Sequence, residues 1–385
     1  MPGGKAVCLG PALATLTFFQ ARLRFAGLLL ALGACSVCAH AQQLVIHDLS
    51  AGRSAERIFG LSADGRTWGG TNYDATTLAG FRASATSRQD FGTSPGTPVD
   101  TSGFAISGDG STVVGRYGAF ATQYTAYRWS NGQFTLLPVQ SGFAGSGALG
   151  VSGDGSVVVG KSYRTDWDGS SDPFRWTAAT GLQPLGRLSP TSSVGAATAV
   201  SRDGQTIVGY SGTFIRRAFV WTEETGMQEL PPLPNSESSG TEARAVNFDG
   251  SIIVGSSGPS GQFTLWRNGQ IQSYQPPAGT GSGVAYAVND AGTVIGGSHL
   301  APGGEVATIW TAQYGSERMT DYLAHFGITV PSPYRLERIT GISADGLTIA
   351  GYTAFPIGRG WTFTIPAPAT LSAVAGLLVS LRRRR

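Results

Sequence analysis

The chain has 385 residues, with 27 Lys and Arg against 24 Asp and Glu, 13% charged residues and 41% hydrophobic residues. Ordinary apolar content excludes a disordered polyelectrolyte, and the lack of a basic cluster in the body argues against nucleic acid as a partner. All three cysteines (Cys8, Cys35, Cys38) lie within the first 41 residues, so a chain cleaved there carries neither disulfides nor thiolate metal ligands.

In chain order, residues 1–41 read as an export signal. Lys5, Arg22 and Arg24 supply positive charge, residues 25–34 a short apolar core, and Ala39-His40-Ala41 a small-x-small cleavage pattern. A rival reading places a lipidated cysteine at Cys35, after Leu32-Gly33-Ala34. Residues 44–49 (Leu-Val-Ile-His-Asp-Leu) follow as an orphan strand. It stands where every later repeat has a closing strand, and it is expected to pair beside residues 361–365.

From there to about residue 365 one unit recurs. Its clearest copy is Ala243-Arg244-Ala245-Val246-Asn247-Phe248-Asp249-Gly250, followed by Ser251-Ile252-Ile253-Val254-Gly255. Asp-Gly between short apolar runs predicts a hairpin, with a type I′ turn as the expected geometry. The turn glycines are Gly65, Gly110, Gly155, Gly204, Gly250, Gly292 and Gly346, spaced 42 to 54 residues apart. The sixth copy is irregular, with Ala291 between Asp290 and Gly292. A tryptophan strand follows in six copies, at Trp129, Trp176, Trp221, Trp266, Trp310 and Trp361, whereas the first copy has Ala83 there. Four short strands in about 45 residues match a propeller blade, with the tryptophans filling the wedges between blades. The expected fold is therefore all-β, a seven-bladed β-propeller of four-stranded blades over residues 42–365, closed by the N-terminal strand. Residues 316–331 interrupt the last interval and predict a short helix over one end, with Thr320 as N-cap and Gly327 as its stop.

Residues 366–385 hold Pro366-Ala367-Pro368, a short apolar run and Arg382 to Arg385. The apolar run is short for a permanent anchor, and the arginines are expected to stay cytoplasmic. Removing both ends leaves 20 Lys and Arg against 24 acids, a body of about −4.

Two resemblances follow from these residues. The Ala-x-Ala-Val-(Ser/Asn)-x-Asp-Gly unit with its Trp strand resembles the HAF-type extracellular repeat family. The tail resembles the PEP-CTERM class of sorting signals, with Pro-Ala-Pro in place of Pro-Glu-Pro. Together they imply a protein secreted or held at the surface of a Gram-negative-type bacterium. On this reading signal peptidase and an exosortase process it, and the uncleaved tail is its only membrane attachment.

Candidate chemistry is sparse. The recurring Asp of the hairpins is explained by turn geometry. Asp166, Asp168 and Asp172 form the one acidic loop that offers oxygen ligands to calcium; no other cofactor is indicated. The body's histidines, His47, His299 and His325, are scattered. Specificity is expected in the irregular loops, with Trp167, Tyr322 and His325 as ligand contacts. The expected function is a non-enzymatic, surface or matrix-associated module that binds extracellular polysaccharide or a surface protein. The alternative is a propeller glycoside hydrolase or lyase, which should gather acids or arginines from several blades around the channel mouth.

Overall fold

A computed structural model describes residues 43–48, 54–73, 77–91, 100–119, 123–164, 170–259, 261–354 and 358–365. The signal reading of residues 1–41 and the sorting reading of residues 366–385 lie outside these. The described chain is all-β apart from one six-residue helix, and it is arranged as four-stranded antiparallel meanders that follow the sequence repeats. Repeats 1 to 7 occupy residues 55–91, 100–136, 145–184, 194–229, 241–274, 283–318 and 336–364. Repeats 3 and 4 join into one larger sheet through a single parallel bridge, Ser171 to Val194. Repeat 7 has three strands of its own, and the strand Gln43–Ile46 pairs antiparallel with its last, from Gln43 opposite Thr364 to Ile46 opposite Trp361.

The hairpin turns differ from the expected type I′. Gly65 N–H donates to Ser62 O at 3.0 Å, and only Gly65, at φ +71°, lies in the left-handed region. Asp64 does not, so the turn is type I closed by a left-handed glycine. The Asp side chain locks this loop: Asp64 Oδ1 accepts from Ser62 Oγ at 2.6 Å and from Arg66 N–H at 3.0 Å. At the third hairpin the Ser156 backbone N–H, with the Ser152 hydroxyl, holds the Asp154 carboxyl below its ordinary range. Neighbouring hairpin tips are tied by backbone bonds, including Ala63 N–H to Gly108 O and Ala344 N–H to Ala63 O, each 2.8 Å.

The apolar core is distributed. Among the described residues seven clusters form, each between consecutive repeats, and each receives one tryptophan. Trp266 and Trp361 are fully buried, as their large apolar area would suggest. The first repeat solves its missing tryptophan locally. Trp68 stands directly across the ladder from Ala83, fills the wedge against Ala350 of repeat 7, and packs on His47 at 4.6 Å.

The predicted insertion is the helix Met319–Ala324. Arg318, with no side-chain cap, occupies the N-cap in place of Thr320, because the preceding strand runs directly into the helix. Gly327 ends it at φ +71°, with Ile328 N–H returning to Leu323 O. Met319 and Leu323 are wedged into the cluster shared by repeats 6 and 7. Among the described residues no helix is long and apolar enough to cross a membrane.

Candidate functional site

The first strand of every repeat carries a register shift against the second, always one residue after its most buried position. The residues skipped at this recurring point are seven, Phe59, Phe104, Leu149, Thr198, Arg244, Tyr286 and Thr340; repeat 7 has a further shift, at Glu337. Such a bulge turns one side chain out of the ladder. It also explains the glycine that ends the second run. At Gly255 a Cβ would lie 1.9 Å from Glu242 O, and at Gly115 1.7 Å from Ser102 O. The first strand can crowd inward only where the partner has no side chain. All seven skipped residues line one cavity of about 330 Å³, which places them around a common axis. A second cleft of about 440 Å³ shares Tyr286 with it and runs out past Glu305 and Ser298 to Pro259 and Leu300.

Around this mouth arginines and tyrosines alternate. Arg57 Cζ lies 5.8 Å from the Tyr73 ring and 4.8 Å from the Tyr352 ring. Arg338 follows at 5.8 Å from Tyr352 and 4.3 Å from Tyr286. Arg244 is 6.0 Å from Tyr286 and 5.7 Å from Tyr210, and Arg216 is 4.7 Å from Tyr210. At the other end Arg116 stacks over Tyr124 at 4.0 Å and is close enough to Tyr73 to act on its ionisation. Cation–π contacts of this kind set guanidinium planes without neutralising them.

Two carboxylates pair with arginines of the arc, and a third, Glu337, is close enough to Tyr352 to act on its ionisation. Glu242 pairs with Arg216 at 2.5 Å and with Arg244. Glu305 accepts from Arg338 at 2.5 Å and from Ser298 Oγ at 2.9 Å. Among the described residues no carboxylate pairs with Arg57 or Arg116. The Nε atoms of Arg116 and Arg244 are buried without a hydrogen-bond acceptor. Burial pushes the Tyr73, Tyr286 and Tyr352 phenols up, Tyr352 to about 12, against the opposing pull of the neighbouring arginines. These phenols therefore stay protonated at neutral pH.

The residues singled out from sequence are described only in part. Asp166, Trp167 and Asp168 are outside the described residues. Asp172 sits in the strand Ser171–Thr177, where Arg187 grips both carboxylate oxygens at 2.6 and 2.9 Å. Its oxygens are engaged in an ion pair, and among the described residues no three His, Cys, Asp or Glu side chains converge as a metal site. Tyr322 is 5% exposed and packs edge-on against Phe326 and Phe363, so it serves the core of the last two repeats. His325 stacks on Tyr314 at 4.1 Å with Nε2 at 3.1 Å from Glu317. Of these, Asp172, Tyr322 and His325 are not among the residues that line the mouth. Arg244 and Tyr286 are visible in sequence only as the variable letter of the Ala-x-Ala pattern, and Arg57, Glu242 and Arg338 as the position two residues before it.

No family model and no curated protein matches the chain. Similarity appears among solved structures. An oligogalacturonate lyase from Vibrio parahaemolyticus is 10% identical, with a TM-score of 0.55 over 85% of this chain and 97% of that one. An oligogalacturonate lyase in complex with manganese gives 12% identity and a TM-score of 0.50 over the same shares. A prolyl endopeptidase gives 12% identity and a TM-score of 0.54 over 78% of this chain, which spans only 46% of that chain. At these identities the likeness carries the fold, a propeller-like all-β architecture. The expected non-enzymatic display module is corrected here. The three similar structures named above are of enzymes, and the mouth gathers arginines and acids from several repeats, as expected under the hydrolase or lyase alternative.

Proposed function

We propose that the protein is a glycan-cleaving propeller enzyme, a glycoside hydrolase or lyase, with its active centre at the arginine-lined mouth. The observation that carries this reading is the convergence of Arg57, Arg244 and Arg338, from repeats 1, 5 and 7, on Tyr286 and Tyr352 beside a cavity. Fixed guanidinium groups stabilise negative charge that builds on oxygen as a glycosidic bond breaks. Tyr286, kept protonated by burial, would hold the proton for the leaving oxygen.

The fold belonging to this reading is a seven-bladed propeller: five separate four-stranded sheets plus the two halves of the joined sheet, with residues 43–46 completing the last blade. Export through a cleaved signal and tail sorting by an exosortase remain part of the proposal and rest on the sequence of the two ends. Manganese, present in one similar lyase, does not fit the residues here. The mouth's donors are guanidinium and phenol groups, and its Glu242 and Glu305 carboxylates are held by arginines.

The test is turnover by the purified full chain on a panel of glycans. New reducing ends report either reaction, and ultraviolet absorbance of unsaturated ends reports the lyase alone. Arg338→Ala should abolish the signal. A panel that yields no product, or product that Arg338→Ala leaves untouched, would refute the assignment.

A further inference from the structure

The geometry points to a polyanionic glycan as the molecule held at the mouth, with several of its acid groups bound at once along the arginine arc. This rests on the reading of the mouth as the active centre and names what that centre accepts. Five guanidinium groups (Arg57, Arg116, Arg216, Arg244 and Arg338) face three carboxylates, the paired Glu242 and Glu305 and the nearby Glu337, an excess of positive charge in a body whose sequence is net acidic. The two paired acids sit at one end of the arc, on Arg216, Arg244 and Arg338. Arg57 and Arg116, from repeats 1 and 2, lie against aromatic rings and, among the described residues, pair with no carboxylate.

Buried guanidinium nitrogens without acceptors are costly, and native structures seldom leave them so. The unpartnered Nε atoms of Arg116 and Arg244 lie on different repeats of the same arc, which leaves at least two separated positions for an incoming acceptor. A guanidinium fork matches a carboxylate or sulfate group geometrically, and two such forks set apart ask for a ligand with repeated charge. The adjoining cleft past Tyr286 and Glu305 gives the rest of a polymer a path outward between repeats 5 and 6. The tyrosines between the arginines offer flat faces suited to sugar rings.

The experiment is calorimetric binding to the full chain at several salt concentrations. The probes are an oligogalacturonate, dextran sulfate, and a malto-oligosaccharide matched in length to the first. Binding of either acidic probe, weakening as salt rises and at least roughly tenfold tighter than the neutral one, is the expected result. Arg57→Gln and Arg116→Gln should each weaken it roughly tenfold, the size of one lost charge-assisted hydrogen bond. Neither change breaks an ion pair, and an unchanged melting temperature confirms the fold. The salt dependence of the unaltered protein stands as evidence if a variant fails to fold. Equal affinity for the neutral probe, undiminished binding by the double variant, or tighter binding of a single-stranded oligonucleotide overturns the inference. Acidic binding without turnover of any glycan would remove the enzyme and keep the inference. Turnover of neutral glycans without acidic binding would do the reverse.

Discussion

Glu56→Gln should abolish one component of the pH dependence of stability. Glu56 is completely buried where repeat 1 meets repeat 7: its N–H donates to Gly358 O at 3.1 Å, and a Cβ on Gly360 would stand 2.7 Å from its Oε1. Arg88 Nη1 is 2.8 Å from Oε2, yet neither oxygen accepts a well-aligned hydrogen bond. Burial consequently raises the carboxyl to about 7; Arg88 and Arg359 oppose the shift and Asp90 adds to it. The folded state then binds more protons than the unfolded one between about pH 4.5 and 7. Stability is greatest at the acid side of this window and falls as pH rises through it. The shift sets a ceiling of about 3 kcal/mol, or about 4 °C in melting temperature for a domain of this size. His47 and His299, both lowered to about 4 by burial, act oppositely, losing stability as pH falls below about 6.5. The readout is therefore the difference between wild type and variant, from melts at pH 5, 6, 7 and 8. Arg88 keeps Asp90 and Asn72 as partners, so the variant should fold. The Gln variant should gain on wild type as pH rises. Parallel profiles, or a variant that loses ground to wild type toward pH 8, would refute the reasoning.

Trp361→Ala should cost about 3–5 kcal/mol in urea unfolding. Trp361→Phe should cost much less, because the indole N–H has no acceptor to lose; equal costs would contradict that account. Trp68→Ala should destabilise the seam between repeats 1 and 7, and adding Ala83→Trp should recover part of the loss, since these positions face each other across the ladder. A double variant no better than the single one would count against it. Truncation through residue 46 bares the strand Gly360–Thr364 as an edge and should produce concentration-dependent association in light scattering. A monodisperse, equally stable truncate would be the contrary result.

The repeat was legible because its signals are local. Asp-Gly and the terminal glycine are demanded by a turn and a bulge that recur in every copy, and each tryptophan answers the same wedge. The turn type was misjudged because Asp-Gly serves two hairpin geometries, and only the φ of Asp64 separates them. The mouth was illegible for the opposite reason. Arg57, Arg244, Tyr286 and Arg338 are far apart in the chain and sit at positions that change from copy to copy, so they resemble noise until the repeats are placed around one axis. The irregular loops stand out in the sequence instead, and the insertion among them carries Tyr322, an aromatic that the fold buries in its own core.

The bulge in each first strand has a consequence for how such proteins change over time. The residue it ejects is held in place by a glycine opposite and by backbone geometry, with its side chain outside the inter-repeat clusters. Phe59, Leu149, Thr198 and Arg244 differ in size and charge, yet the alanine or glycine flanking each is nearly constant. Seven addresses on one axis can thus be rewritten singly, without repacking a wedge or moving a turn. A lineage built this way can exchange one ligand for another by substitutions that scarcely touch its melting temperature, and its members can drift apart at the mouth while still folding alike.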